Sequence, residues 1–301
     1  MKRFIIQTIL VVSPIIIGLS VMEYCLRSIP NDYSYKRNFF EHNSEKIEYL
    51  ILGSSHSYYG IDPTYIDGFA FNASHISQSI DYDYEIFKRY NGQFKKLKTI
   101  IIPIDYFTLF SRVSTGVESW RVKNYEIYYG INKSYNIKDH FELLNFKFSK
   151  NLTRCLSYLK NRKKNSITCS ELGYGNLLKK QKDLNETGIS AAKRHTKNDQ
   201  KFYSKNLQIL EDFVKHSNEK GVNIIFITFP AYHTYTENLN KHQLNKTMAT
   251  IKDIVNRNPQ NLYFNFLYDQ DFDATHFQDA DHLNKKGAQL LSEKINLILN
   301  N

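Results

Sequence analysis

Ser54 and Ser55 stand directly after Gly53, at the end of the apolar run Tyr49 to Leu52. A serine hydroxyl is a weak nucleophile until a base takes its proton, and that base is usually a histidine held by a carboxylate. Near the other end of the chain, Asp279 and His282 stand three apart, with Ala280 and Asp281 between them. On a turn before a helix, this spacing sets a carboxylate beside an imidazole. One ring nitrogen is then oriented and the other is left to face a serine. The chemistry this allows is acyl transfer, with Ser55 as nucleophile, His282 as base and Asp279 as the orienting acid. His56 is a nearer imidazole, but adjacent residues in a tight turn point apart, so it reads as pocket wall or turn. Alone, Ser54 and Ser55 would be ordinary turn caps. The distant Asp–His pair makes them a candidate site.

For these residues to meet, the chain between them must alternate strands and helices. Tyr49 to Leu52 reads as a buried strand, Phe69 to Asn72 as a short second one and Leu97 to Ile104 as a third. A helix is expected over Ser77 to Tyr90, with Ile80, Tyr84 and Phe87 on one face. A helix from Lys201 stops at Gly221. Val222 to Phe229 is a strand ended by Pro230, Leu239 to Val255 a helix and Leu262 to Leu267 a last strand. Asn284 caps a final helix whose apolar face is Leu290, Leu291, Ile295 and Ile298. Strands spaced by helices point to a parallel sheet. Ligands bind at the carboxyl edge of such sheets, where Ser55 falls. Tyr232 and His233 follow the fourth strand at the same edge and are pocket candidates. Tyr106 to Gln200 breaks the rhythm and reads as a mainly helical insertion, a cap or lid.

Ahead of this rhythm, Met1-Lys-Arg precedes Phe4 to Met22, an uncharged apolar segment. At about 1.5 Å rise per residue it is long enough to cross a bilayer. No small-x-small cleavage site follows, so an uncleaved anchor is expected over residues 1–25, its positive end in the cytoplasm. A linker follows over 26–46. From 47 to 301 an α/β domain is expected, with its insertion at about 106–200.

The chain has 301 residues, 23% charged and 14% aromatic, which supplies ample core and excludes disorder as the default. Its net charge of +10 suits an anionic polymer or a membrane surface. The basic block Lys160 to Lys164 is short, and neither zinc-finger spacing nor an RNA-binding aromatic signature is present, so nucleic acid is not expected as a partner. Cys25, Cys155 and Cys169 are too few for a disulfide scaffold, and Cys155 can pair with Cys169 only if their geometry allows it. His276, Asp279 and His282 at three-residue steps form a competing zinc-type set. Neither metal nor cofactor is expected.

Gly53-Ser54-Ser55, followed far downstream by Asp279-x-x-His282 before a C-terminal helix, resembles the SGNH (GDSL-like) hydrolase superfamily. That family opens with Gly-Asp-Ser and closes with Asp-x-x-His. The resemblance covers most of residues 47–110 and 220–300. It implies a three-layer α/β/α, flavodoxin-like parallel sheet and a serine esterase or O-acyltransferase using Ser55, His282 and Asp279. Ser54 stands where the family usually has Asp, which resembles the membrane-anchored branch containing the D-alanyl transfer protein of teichoic-acid modification. The family's oxyanion hole takes the nucleophile's own N–H, a Gly from a second block and an Asn from a third. Here Asn72-Ala73-Ser74 falls at the second block and Asp105 at the third. Ser54, Ala73, Ser74, Asp105 and His56 are therefore the oxyanion or pocket candidates, although an ionised Asp105 would repel an oxyanion. One lost donor costs roughly 3 kcal/mol of transition-state stabilisation, so a catalytically degenerate glycan-binding or assembly protein is the alternative. The implied partners are an envelope polysaccharide or acyl-donor substrate and a membrane acyl-donor protein. The implied location is the inner (cytoplasmic) membrane, single-pass, with the domain in the periplasm or cell exterior.

Overall fold

The apolar runs pair as a parallel sheet in the order β2-β1-β3-β4-β5, built from β1 (Tyr49–Ile51), β2 (Ala70–Asn72), β3 (Thr99–Pro103), β4 (Asn223–Thr228) and β5 (Leu262–Asn265). Two shorter strands, β6 (Phe277–Asp279) and β7 (His282–Leu283), form an antiparallel hairpin. In chain order the helices are α1 (Lys2–Arg27), α2 (Asp32–Asn43), α3 (Ser55–Gly60), α4 (Ile80–Tyr90), α5 (Val122–Asn124), α6 (Phe148–Lys160), α7 (Leu184–His195), α8 (Tyr203–Glu219), α9 (His233–Thr236), α10 (Lys241–Arg257) and α11 (Lys285–Leu299). The computed structural model describes residues 1–160, 166–175 and 180–300. All but the first residue of the basic block Lys160 to Lys164 lies outside the described residues.

The sheet is an α/β sheet of flavodoxin-like order, in which the chain reverses its direction of travel between β1 and β3. Strand residues alternate faces. On one face Ile51, Ile101, Ile225 and Ile227 pack with Leu291 and Ile295 of α11. On the other, Phe71 receives Phe39 and Phe40 of α2, at ring separations of 3.8 and 5.3 Å. Phe87 of α4 stacks on Phe213 of α8 at 5.1 Å. With both faces covered, β1, β2 and β3 are buried along their whole length, which is why they read as continuous apolar runs.

Local chemistry moves some boundaries. The helix expected from Ser77 begins at Ile80, because Ser77 itself is left-handed, with φ of 61°. Residues 26–46, expected as a linker, are instead largely helical. Asn31 Oδ1 accepts the N–H groups of Tyr33 and Ser34 and so starts α2.

Two compact units divide the chain: Met1–Arg37 with Ser119–Thr168, and Asn38–Glu118 with Cys169–Asn301. The sheet belongs to the second unit. The insertion expected over 106–200 is thus split between them. Its described part is mainly helical, with α5, α6, α7 and several single turns. In the first unit, α1 is long and apolar enough to cross a membrane, and its apolar window is wholly exposed. Its last turn is held by side chains. The Glu23 carboxylate accepts the N–H groups of Glu142 and Leu143 at 3.0 and 2.8 Å, and Arg27 donates to the His140 carbonyl at 2.7 Å. Lys123 and Glu142 form a buried ion pair that Arg154 joins at 3.3 Å. None of the three cysteines is in a disulfide.

Candidate functional site

The first half of the site is a sharp turn after β1. Gly53 has φ of +111°, and a Cβ there would collide with the Pro103 ring of β3, so only glycine fits. Its N–H donates to Asp83 Oδ1 at 2.7 Å, and Gln78 Nε2 donates to the same oxygen at 2.6 Å. Burial pushes the Asp83 carboxyl up to about 7, against the pull of those two hydrogen bonds. Ser54 is the N-cap of α3, its Oγ accepting the His56 N–H at 3.3 Å. Ser55 is therefore the first residue of α3, at the carboxyl edge of the sheet beside the β1/β3 switch point.

The second half is the β6–β7 hairpin. Asp279 and His282 are directly paired across it, with Ala280 and Asp281 as the turn. The expected turn before a helix is thus a hairpin, and directly opposed residues carry their side chains on one face. Asn284 then caps α11, accepting the N–H groups of Lys286 and Gly287. His282 Nε2 lies 2.8 Å from Ser55 Oγ, and His282 Nδ1 lies 2.7 Å from Asp279 Oδ1. The other Asp279 oxygen takes the Lys182 ammonium at 3.2 Å. Burial alone would lower the His282 pKa, but the Asp281 and Asp279 carboxylates overturn this and raise it to about 9. Asp279 is held below the usual carboxylate range: burial would raise it, and the hydrogen bond and charge of His282 outweigh that.

Behind this chain lies a second, buried layer of charge. His56 is sandwiched between two carboxylates, Nδ1 at 2.9 Å from Asp105 Oδ2 and Nε2 at 3.6 Å from Asp281 Oδ2. Burial opposes charging His56, yet the Asp105 and Asp281 carboxylates raise it to about 10. Its ring meets that of His282 edge-on at 5.1 Å. Asp281 also sits 3.5 Å from His282 Nδ1 and 3.7 Å from Arg194. His195 behaves oppositely. Burial lowers it to about 3, and its Nδ1 pairs with the Tyr235 hydroxyl at 2.9 Å.

A cavity of about 720 Å³ opens over the Ser55–His282 pair. Ser54, Ser55, Asp279 and His282 line it, as do Ser77, Arg112, Lys182, Arg194 and His195. The other pocket candidates fall elsewhere. Ala73 is fully buried, and its N–H is spent on the Ile51 carbonyl at 2.7 Å. Ser74 is tied through both N–H and Oγ to the Asn72 side chain. Asp105 turns its charge to His56 rather than to the cavity, which removes the expected repulsion of an oxyanion. His56 is not at the Ser55 hydroxyl. Tyr232 packs against Phe277, and exposed His233 pairs with Glu237 at 3.4 Å. The zinc-type set is not assembled either, because His276 Nδ1 closes a capping box by accepting the Asp273 N–H at 3.2 Å. Among the described residues, His56, Asp281 and His282 do bring ligand atoms within 4.8 Å of one another. Asp281, Lys182, Arg194 and His195 were not foreseen. For Asp281 the signal was present, since it is the residue between Asp279 and His282.

No family model matches the sequence, and no curated protein is similar to it. Eleven solved chains are similar in shape, among them the following two. One, from Bacteroides fragilis, is inferred to be an acylhydrolase; it is 8% identical, with a TM-score of 0.43, over 87% of this chain and 94% of the other. The second, from Streptococcus pneumoniae, is inferred to be a platelet activating factor; it is 9% identical, with a TM-score of 0.46, over 96% of this chain and 98% of the other.

Proposed function

We propose that the protein is a membrane-anchored serine esterase or O-acyltransferase of the SGNH kind, acting on acyl esters of extracytoplasmic polysaccharide through an acyl-Ser55 intermediate. One observation carries the reading: Ser55, His282 and Asp279 form an unbroken hydrogen-bonded chain of 2.8 and 2.7 Å between residues far apart in sequence. His282 Nε2 takes the proton as Ser55 Oγ attacks the acyl carbonyl. The resulting imidazolium gives that proton to the departing alcohol oxygen, leaving the acyl group on Ser55. Water or a sugar hydroxyl then attacks the acyl-enzyme. His282 takes the incoming proton and returns it to Ser55 as the ester bond breaks. Asp279 holds the ring tautomer throughout.

The oxyanion would take the Ser55 N–H, which in the first turn of a helix has no intrahelical acceptor. The loop around left-handed Ser77 forms part of the cavity wall, where Ala73 and Ser74 do not reach. The anchor reading is supported by α1, the polyanionic substrate by the charge of +10, and the acyl chemistry by the motif resemblance. The D-alanyl transfer branch fits the anchor and the Gly-Ser-Ser block.

A fluorophosphonate probe tests the reading on the full-length protein. Covalent labelling is expected for the wild type, with loss in Ser55→Ala and His282→Ala and an ester-hydrolysis rate lower by about 10³-fold or more. Equal labelling of Ser55→Ala removes the nucleophile. Glycan binding that survives both substitutions, without turnover of any acyl ester, would favour the degenerate binding protein.

A further inference from the structure

Helix α6 carries an apolar stripe that nothing among the described residues covers. Phe148, Leu152, Leu156 and Leu159 recur at helical spacing and are 57, 40, 57 and 51% exposed. The rest of the helix is polar and one-signed, with Lys150, Arg154 and Lys160 and no acidic residue. Asn151 and Cys155, on the remaining side, are buried. A stripe this long on a water-soluble surface needs a partner.

The position of α6 along α1 identifies that partner. Covering of α1 begins only at Met22, with Tyr24 and Arg27 still exposed beyond it, and the apolar residues before it stand in the open. Cys155 of α6 lies 3.8 Å from the Met22 carbonyl, so α6 sits where α1 leaves the unit. If α1 spans a bilayer, its hydrocarbon edge falls at that level. Phe141 and Leu144, half-exposed beside the Glu23 clamp, extend the same apolar surface.

We propose that α6 lies in the membrane–water interface, with Phe148, Leu152, Leu156 and Leu159 in the outer acyl region of a bilayer. Its basic residues sit at the level of anionic headgroups. The stripe continues the apolar surface of α1, and the cationic face matches an anionic lipid surface, the pattern of an interfacial amphipathic helix. Unit one is then held to the membrane by two elements and cannot swing freely about α1. This rests on α1 being an uncleaved anchor and is independent of the chemistry at Ser55.

Full-length protein in vesicles of phosphatidylglycerol and dibrominated phosphatidylcholine tests it. In a Trp120→Phe background, Leu156→Trp and Leu152→Trp report on the stripe. Ser157→Trp, at the cavity on the other side of the helix, reports on the polar face. Quenching by bromine is expected to be at least about twofold stronger at 152 and 156 than at 157, with blue-shifted emission. Equal, weak quenching with water-like emission overturns the proposal. So does blue-shifted emission without quenching, which would mean a protein covers the stripe. Carbonate extraction of the same vesicles separates the premises: a chain that is released loses the anchor and this inference together, whereas a retained chain with an unquenched stripe loses the inference alone.

Discussion

His282 is gripped by two carboxylates, 2.7 Å from Asp279 and 3.5 Å from Asp281. A group raised to about 9 is protonated at neutral pH and becomes a base only above that value. Ester kcat/KM should therefore climb with pH up to about 9 instead of levelling near 7. Asp281 is the strongest of the raising influences, so Asp281→Asn should move the midpoint of this limb to lower pH while Ser55 remains labelled. A pH–rate profile of both proteins checks this, and coincident profiles would exclude Asp281 from the control of His282. The spacing of Asp279 and His282 was legible in the sequence, and so was the serine that His282 meets. The role of Asp281 was not, because a residue between two motif positions reads as a spacer. Here a hairpin turn buries it between two imidazoles. The same limit applies to His56, which faces Asp105 and Asp281. Its burial between Asp105 and Asp281 depends on strand ends that only the folded sheet brings together.

Strands were the most legible elements, because burial on both faces writes them as plain apolar runs. β1, β3, β4 and β5 lie within the stretches expected of them, shortened by a residue or two at the ends. Elements whose order depends on a single side chain were less legible. α2 exists through the Asn31 cap and the Phe39 and Phe40 contacts with Phe71, and its polar sequence hides both. The turn at Gly53 is the element on which the site depends. Its left-handed φ and its contact with the Pro103 ring together set the direction in which Ser55 leaves β1. Gly53→Ala should destabilise the protein by roughly 2 kcal/mol or more. It should also depress labelling of Ser55 at denaturant concentrations where the fold persists. Urea unfolding followed with probe labelling separates the two effects, and an unchanged midpoint would show that the turn tolerates a side chain.

Across the whole molecule, the excess of ten positive charges acts at a distance. The KM for a polyanionic acylated glycan should rise between about 0.05 and 0.5 M salt, as the Debye length shrinks, while that for a neutral aryl ester should not. Parallel titrations with the two substrates decide this, and equal salt responses would remove charge steering. The division into two units was not legible, because Met1–Arg37 finds its partner at Ser119–Thr168 across more than eighty intervening residues, and local periodicity carries no trace of such pairing. Distance along the chain has one more effect. The hydrogen bond between Ser55 and His282 joins residues 227 apart, and α11, which follows it, closes one face of the sheet. Synthesis therefore makes Ser55 long before the imidazole that meets it. A chain interrupted anywhere before residue 282 holds Ser55 without the imidazole that closes on it.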